Sequence, residues 1–392
     1  MVSSDTSSGT PTTNSSTSSS ELARACGQLI SAGFDGAEAP DQLLRRIADG
    51  EVGSVMLFRP NIISPDQVAA LVGAIRRAAP AGAPVLVAVD QEGGLVQRLR
   101  APLTEWPDML SVGGAGDPAL TEQVGRALGS ELAALGIGWD FAPVLDVHTN
   151  PQNPVIGNRA FGVTPEAVSA HALAFWRGLK AAGLAGCGKH FPGHGDTHAD
   201  SHVTLPVVVH DQERLRAVEL APFAEAARAG IDAIMTAHVM YPAFDRNWPA
   251  TLSRPILTDI LRGQLGFTGV IVADDLGMRA VADRYPIQEL AVLSIAAGAD
   301  HLLIREPLER QRAAFEALVH AAESRSEIRA RVEESAARVA RMKSAVSVGM
   351  PAPAEMLSGL LGTPAHRALA ASFKRDAALA SSPAASSPVA GA

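Results

Sequence analysis

Eight apolar runs recur along the chain, at residues 28–34, 53–58, 84–89, 137–145, 185–190, 233–238, 269–273 and 300–304. Most are continuous rather than alternating, which is the pattern of strands buried on both faces. Between them the period turns helical. Ser64-Pro65-Asp66-Gln67 opens one helix, with a capping serine, a proline in the first turn and a glutamine at the third position. Thr164-Pro165-Glu166 opens another over 167–182. Residues 211–229 set Leu215, Val218, Leu220, Phe223 and Ala227 on or near one stripe. Helical spacing also marks 21–29, 256–265, 287–297, 308–322, 327–344 and 364–372.

Strands and helices alternating eight times predict an α/β chain folded as a single (β/α)8 barrel. An open doubly wound sheet is the competing architecture. The glycine-rich dinucleotide fingerprint that would favour it does not follow the first run. The barrel is expected over residues 21–373. Residues 1–20, mostly Ser and Thr, and residues 374–392, rich in Ala, Ser and Pro, are expected as disordered tails.

Composition then limits the partners. The 392 residues are 47% hydrophobic and carry a net charge of −8. That supplies a large core and offers no basic face for nucleic acid. No apolar run reaches the roughly 18 residues of a membrane span, and the start of the chain lacks the pattern of an export signal. A cytoplasmic monomer is expected. An exported or lipid-anchored form is the alternative if a signal has been removed, with the Ser/Thr tract as a tether. Cys26 and Cys187 make no disulfide framework.

Chemistry in a barrel sits at the carboxyl ends of the strands. Five consecutive runs end in polar residues there. The third leads into Asp90-Gln91-Glu92-Gly93-Gly94, with Arg98 beyond. The fourth leads to Asp146 and a long loop carrying Asn158 and Arg159. Lys189-His190 closes the fifth, His238 the sixth and Asp274-Asp275 the seventh. From Lys189 to His202, four histidines and two aspartates fall within fourteen residues.

Three readings fit that dense stretch. Histidines every four residues would make a metal face on a helix, but Pro192, Gly193 and Gly195 oppose a helix and the spacing matches no common zinc pattern. A polar loop satisfying its own backbone is the second. In the third, Asp200 and His202 face the same way in an extended segment. The carboxylate then fixes the imidazole tautomer and raises its basicity, which makes a proton-transfer dyad. Asp274 suits a nucleophile toward a sugar's anomeric carbon, or a metal ligand. Asp275 reads as a helix cap or a bond to a neighbouring loop. His194 and Asp196 read as holding the loop's shape.

Lys189-His190-Phe191-Pro192-Gly193-His194-Gly195-Asp196-Thr197, followed by Asp200-Ser201-His202, resembles the signature of glycoside hydrolase family 3 β-N-acetylhexosaminidases. The likeness continues, in order, through Asp90-Gln91-Glu92-Gly93-Gly94 with Arg98, Asn153-Pro154-Val155-Ile156-Gly157-Asn158-Arg159, Met235-Thr236-Ala237-His238 and Ala273-Asp274-Asp275-Leu276-Gly277-Met278. It spans residues 27–369. The family usually has Asp where Asn158 stands, and often Ser at Ala273 and Gly277, all supporting positions.

The resemblance implies a retaining exo-glycosidase that removes terminal β-linked N-acetylglucosamine, GlcNAc, from peptidoglycan fragments; no metal or cofactor is expected. It implies Asp274 as nucleophile, His202 as acid/base and Asp200 as its partner. It implies Asp90, Arg98, Arg159, Lys189 and His190 as the GlcNAc-binding set. Three other readings stay open: a phosphorolytic enzyme of the same kind, a metal-dependent amidohydrolase and a non-catalytic sugar-binding barrel.

Overall fold

All eight apolar runs become parallel strands of one closed barrel, in chain order. A computed structural model of the chain describes residues 18–201, 204–305 and 307–373. The strands are β1 Ile30–Ala32, β2 Ser54–Leu57, β3 Leu86–Val89, β4 Trp139–Asp140, β5 Ala185–Phe191, β6 Ala233–Thr236, β7 Val270–Ala273 and β8 His301–Ile304. Ser31 pairs with Ser54 on one side and Leu303 on the other, which closes the ring.

Alternation explains why the runs read as continuous. Met56, Ala88, Trp139, Cys187, Met235, Val272 and Leu303 fill the barrel interior. Their neighbours Val55, Val87, Ile234, Ile271 and Leu302 join the outer core under the helices. Both faces of each strand are therefore apolar. In β5 the outward positions are glycines because other groups already fill that space. A Cβ on Gly186 would lie 2.7 Å from Trp176 Cδ1, and one on Gly188 2.4 Å from Leu145 Cδ1.

The amino end of the barrel is stoppered by the helix Ser326–Ala345, whose Val339 and Met342 enter the interior cluster. Lys343 on that helix donates to Gln28 Oε1 at 2.6 Å, to the Gly53 carbonyl at 2.6 Å and to the Pro84 carbonyl at 2.9 Å. Beside it, His301 Nε2 sits 2.7 Å from Ser54 Oγ.

Helix boundaries depart from the pattern in places, each for a local reason. The first helix starts at Ser19, inside the stretch assigned to the tail, because Ser18 and Glu21 form a capping box. Residues 1–17 and 374–392 lie outside the described residues. The single helix expected over 211–229 is broken. Leu220 N bonds back five residues to the Leu215 carbonyl, and a new helix, Ala221–Ala229, begins. Pro222, at its second position, has no N–H to continue the earlier ladder. Pro118–Ala134, a helix of 17 residues, escaped the pattern altogether. No described helix is long and apolar enough to cross a membrane.

Burial, and then the nearby Lys343, hold the His301 imidazole down at about 3. In the unfolded chain the same group binds a proton near its ordinary value of about 6.5. Its contribution to stability is complete above that value and is lost as pH falls toward 3. The unfolding temperature should drop between about pH 7 and pH 4. His301→Asn, which keeps a partner for Ser54, should flatten part of that slope in buffered thermal melts.

Candidate active site

The carboxyl ends of β3 and β5 bring opposite charges together. After β3, the strand pair Gln91–Gly93 and Val96–Gln97 turns the chain back so that Arg98 returns over Asp90. Arg98 Nη2 donates to Asp90 Oδ2 at 3.2 Å. Lys189 Nζ lies 2.8 Å from Asp90 Oδ1 and 2.5 Å from Glu92 Oε1. Arg159 grips Glu92 with a two-pronged fork, both bonds at 2.8 Å. The side chains of Lys189 and Glu92 are 3% and 1% exposed, so this pairing is internal.

Burial alone would neutralise these groups, and their partners reverse that. Burial raises Glu92, but Arg159 and Lys189 outweigh it and hold the carboxyl at about 2. Asp90 is likewise raised by burial and then held far below the carboxylate range by Lys189 and Arg98. Burial favours a neutral Lys189 amine, and Asp90 and Glu92 raise its pKa instead. These shifts favour the charged forms of Asp90, Glu92 and Lys189 at neutral pH.

Asp146, past β4, organises the start of the histidine loop. It accepts from His190 Nδ1 at 2.7 Å, from His190 N at 3.2 Å and from His194 N at 2.6 Å. His194 has Thr197 Oγ1 2.7 Å from Nδ1 and Ser201 Oγ 3.0 Å from Nε2. Both its nitrogens are thus taken by loop hydroxyls, which argues against a metal there. Burial first, and His190 second, push the His194 imidazole down to about 4. Asn150 Nδ2 donates to the Thr197 carbonyl at 3.1 Å and Asn153 Nδ2 to the His194 carbonyl at 2.9 Å. The two loops touch so closely that a Cβ on Gly195 would lie 1.8 Å from the Val147 carbonyl oxygen.

Asp274 follows β7, partly buried, and its Oδ1 accepts from Asp275 N at 2.8 Å. Asp275 turns away to tie loops together, accepting from Gly277 N at 2.9 Å and Arg305 N at 3.1 Å. That is the loop bond its sequence position suggested. His238 packs beneath, with Nδ1 2.8 Å from Thr251 Oγ1 and Nε2 3.0 Å from the Asp275 carbonyl. Burial raises the Cys187 thiol, Lys189 opposes the rise, and Asp90 and Asp274 add to it.

The structure therefore joins Asp90, Arg98, Arg159 and Lys189 through Glu92 into one bonded group, with His190 next to Lys189 and bonded to Asp146, and Asp274 at the carboxyl end of β7. Asp200 lies on the histidine loop, its carbonyl accepting from Thr204 N at 3.0 Å. His202 lies outside the described residues. Arg159 is no surface ion pair, since its partner is buried. Glu92 and Asp146 stand among the polar strand-end residues of the sequence without an individual role assigned to either. The one signal for them was their place at strand ends beside cations.

Residues 22–342 match the model of the glycosyl hydrolase family 3 N-terminal domain. The chain belongs to that family. It is 36% identical over 358 residues to β-hexosaminidase A of Pseudoalteromonas piscicida, a match covering 85% of this chain and 60% of that protein. Its fold matches a family 3 β-N-acetylglucosaminidase from Paenibacillus sp. str. FPU-7 with a TM-score of 0.86 at 43% identity, over 90% of this chain and 68% of that one. NagZ from Neisseria gonorrhoeae, solved in complex with N-trifluoroacetyl-D-glucosamine, matches with a TM-score of 0.72 at 33% identity, over 90% of this chain and 98% of that one.

Removing Glu92 would strand Lys189 and Arg159 without one of their counter-charges. Glu92→Leu should cost about 3–5 kcal/mol in denaturant unfolding. The exposed Arg177–Glu122 pair, at 3.0 Å, serves as the contrast. Glu122→Ala should cost less than about 1 kcal/mol in the same measurement.

Proposed function

We propose that this family 3 glycoside hydrolase is a retaining exo-β-N-acetylglucosaminidase acting on peptidoglycan-derived fragments. The observation that carries the reading is the ionised Asp90, clasped by Lys189 and Arg98, on the same barrel rim as Asp274. A carboxylate and two cations suit the vicinal hydroxyls of a terminal sugar ring, which both donate and accept. The names of the relatives, and the glucosamine derivative held by one of them, support an N-acetylated sugar.

In this reading Asp90, Arg98, Arg159, Lys189 and His190 hold the non-reducing GlcNAc. Asp274 attacks the anomeric carbon, and the glycosidic oxygen leaves with a proton from His202. A covalent glycosyl-aspartate results. His202 then takes a proton from water, the water oxygen bonds to the anomeric carbon, and Asp274 is released with the starting anomeric configuration. Asp200 orients the imidazole and stabilises its charged form. A histidine needs no burial to exchange a proton near neutral pH, whereas a carboxyl acid does. That suits a group carried on a loop. Water rather than phosphate is the favoured acceptor, since the named relatives are hydrolases. Release of GlcNAc rather than GlcNAc-1-phosphate, with phosphate present, checks this.

Two measurements test the roles. Mass spectrometry after reaction with a slow, mechanism-trapped N-acetylglucosaminide should map the label to Asp274, and a label elsewhere overturns the nucleophile. His202→Ala should slow glycosides with poor leaving groups by about a hundredfold or more, and activated aryl glycosides far less. Equal losses on both would remove His202 as the acid.

A further inference from the structure

The loop that carries Asp200 and His202 leaves β5 after Phe191 and re-enters helix at Gln212. Its first turn is gripped from two sides. Tyr241 OH donates to the Gly193 carbonyl at 2.5 Å. Gly193 has φ +128°, and a Cβ there would sit 2.8 Å from Glu219 Cβ. Asp146, Asn150 and Asn153 then fasten His194 and Thr197. At the far end, Val208 N donates to the Met240 carbonyl at 2.9 Å.

One contact joins the two ends. His210 Nε2 pairs with Asp196, 14 residues earlier, and closes the stretch between them into a ring. Glu219 lies nearby: burial raises its carboxyl, Arg214 opposes that, and His210 and Asp196 act on it more weakly. Its side chain is 3% exposed, with Oε1 3.2 Å from Arg214 Nη2, and among the described residues that ion pair is its one polar contact. Nothing in the reaction as written uses these groups.

We propose that the Asp196–His210 pair, backed by Glu219, is a latch that sets where the acid/base stretch of the loop sits, with His210 and Asp196 as positioning residues. Closing the ring at its neck removes most of the ways its span can wander. The sugar-binding group is held by Glu92 and by the Asp146–His190 bond, which lie ahead of Asp196 and outside the latched ring. Opening the latch should therefore misplace the proton donor and leave GlcNAc binding intact. A small misplacement of a reacting group is enough to cost a large factor in rate.

The inference rests on the proposed acid/base role of this loop, so His202→Ala is assayed alongside. Asp196→Asn and His210→Gln, close in size to the native residues, are made in the full chain. Each is assayed with an activated nitrophenyl GlcNAc glycoside and with a GlcNAc disaccharide. Both variants should lose kcat on the disaccharide by about ten- to hundredfold, lose much less on the aryl glycoside, and keep KM within about twofold of wild type. The double variant should be no worse than either single one, because the two residues act through one contact.

Wild-type rates on the disaccharide, or equal losses on both substrates, would overturn the latch. So would failure of both variants to fold, which would make the pair structural. If His202→Ala itself shows no leaving-group selectivity, the functional reading fails instead, and the two failures are distinct.

Discussion

The ammonium of Lys189 is wedged between the carboxylates of Asp90 and Glu92 where almost no water reaches. Taking charges out of water is costly, and such a group persists only when every member is paired. Here the pairing extends outward. Arg98 completes Asp90, Arg159 completes Glu92, and Asp146 also acts on Arg159. Three cations thus stand against three carboxylates, with His190 bonded to the last of them. The result is a rigid, ionised yet nearly neutral group whose outer edges face the barrel mouth. A polar ligand at that edge would exchange hydrogen bonds with a surface whose geometry is already set by its own Coulomb balance.

That balance explains what the primary structure reveals and what it hides. The eight strands were readable because burial on both faces writes itself as uninterrupted hydrophobicity. Their carboxyl ends follow automatically, and so does the clustering of Asp90, Lys189 and Asp274. Glu92 and Asp146 were harder, because their partners come from far along the chain. Arg159 is 67 residues from Glu92, and His190 is 44 from Asp146. Only closure of the barrel turns a charge at a strand end into half of a buried pair.

The missed helix Pro118–Ala134 hides for a related reason. Gly125 and Gly129 make it read as a poor helix former. Yet a Cβ on Gly125 would fall 2.1 Å from the Phe175 carbonyl, so the glycine is where two helices meet backbone to backbone. The residue that weakens the local signal exists because of the tertiary contact. Pro222 works the other way, since the amphipathic stripe of 211–229 runs on through a point where the hydrogen-bond ladder is interrupted.

The abutment of Gly195 on the Val147 carbonyl has a consequence for descent. Two segments grown from different strands share one boundary with no slack, so neither can lengthen, shorten or acquire a side chain there unless the other yields. Changes in the two should travel together through a lineage as a matched set, and a graft that imports one from a cousin without its counterpart would meet a wall of backbone.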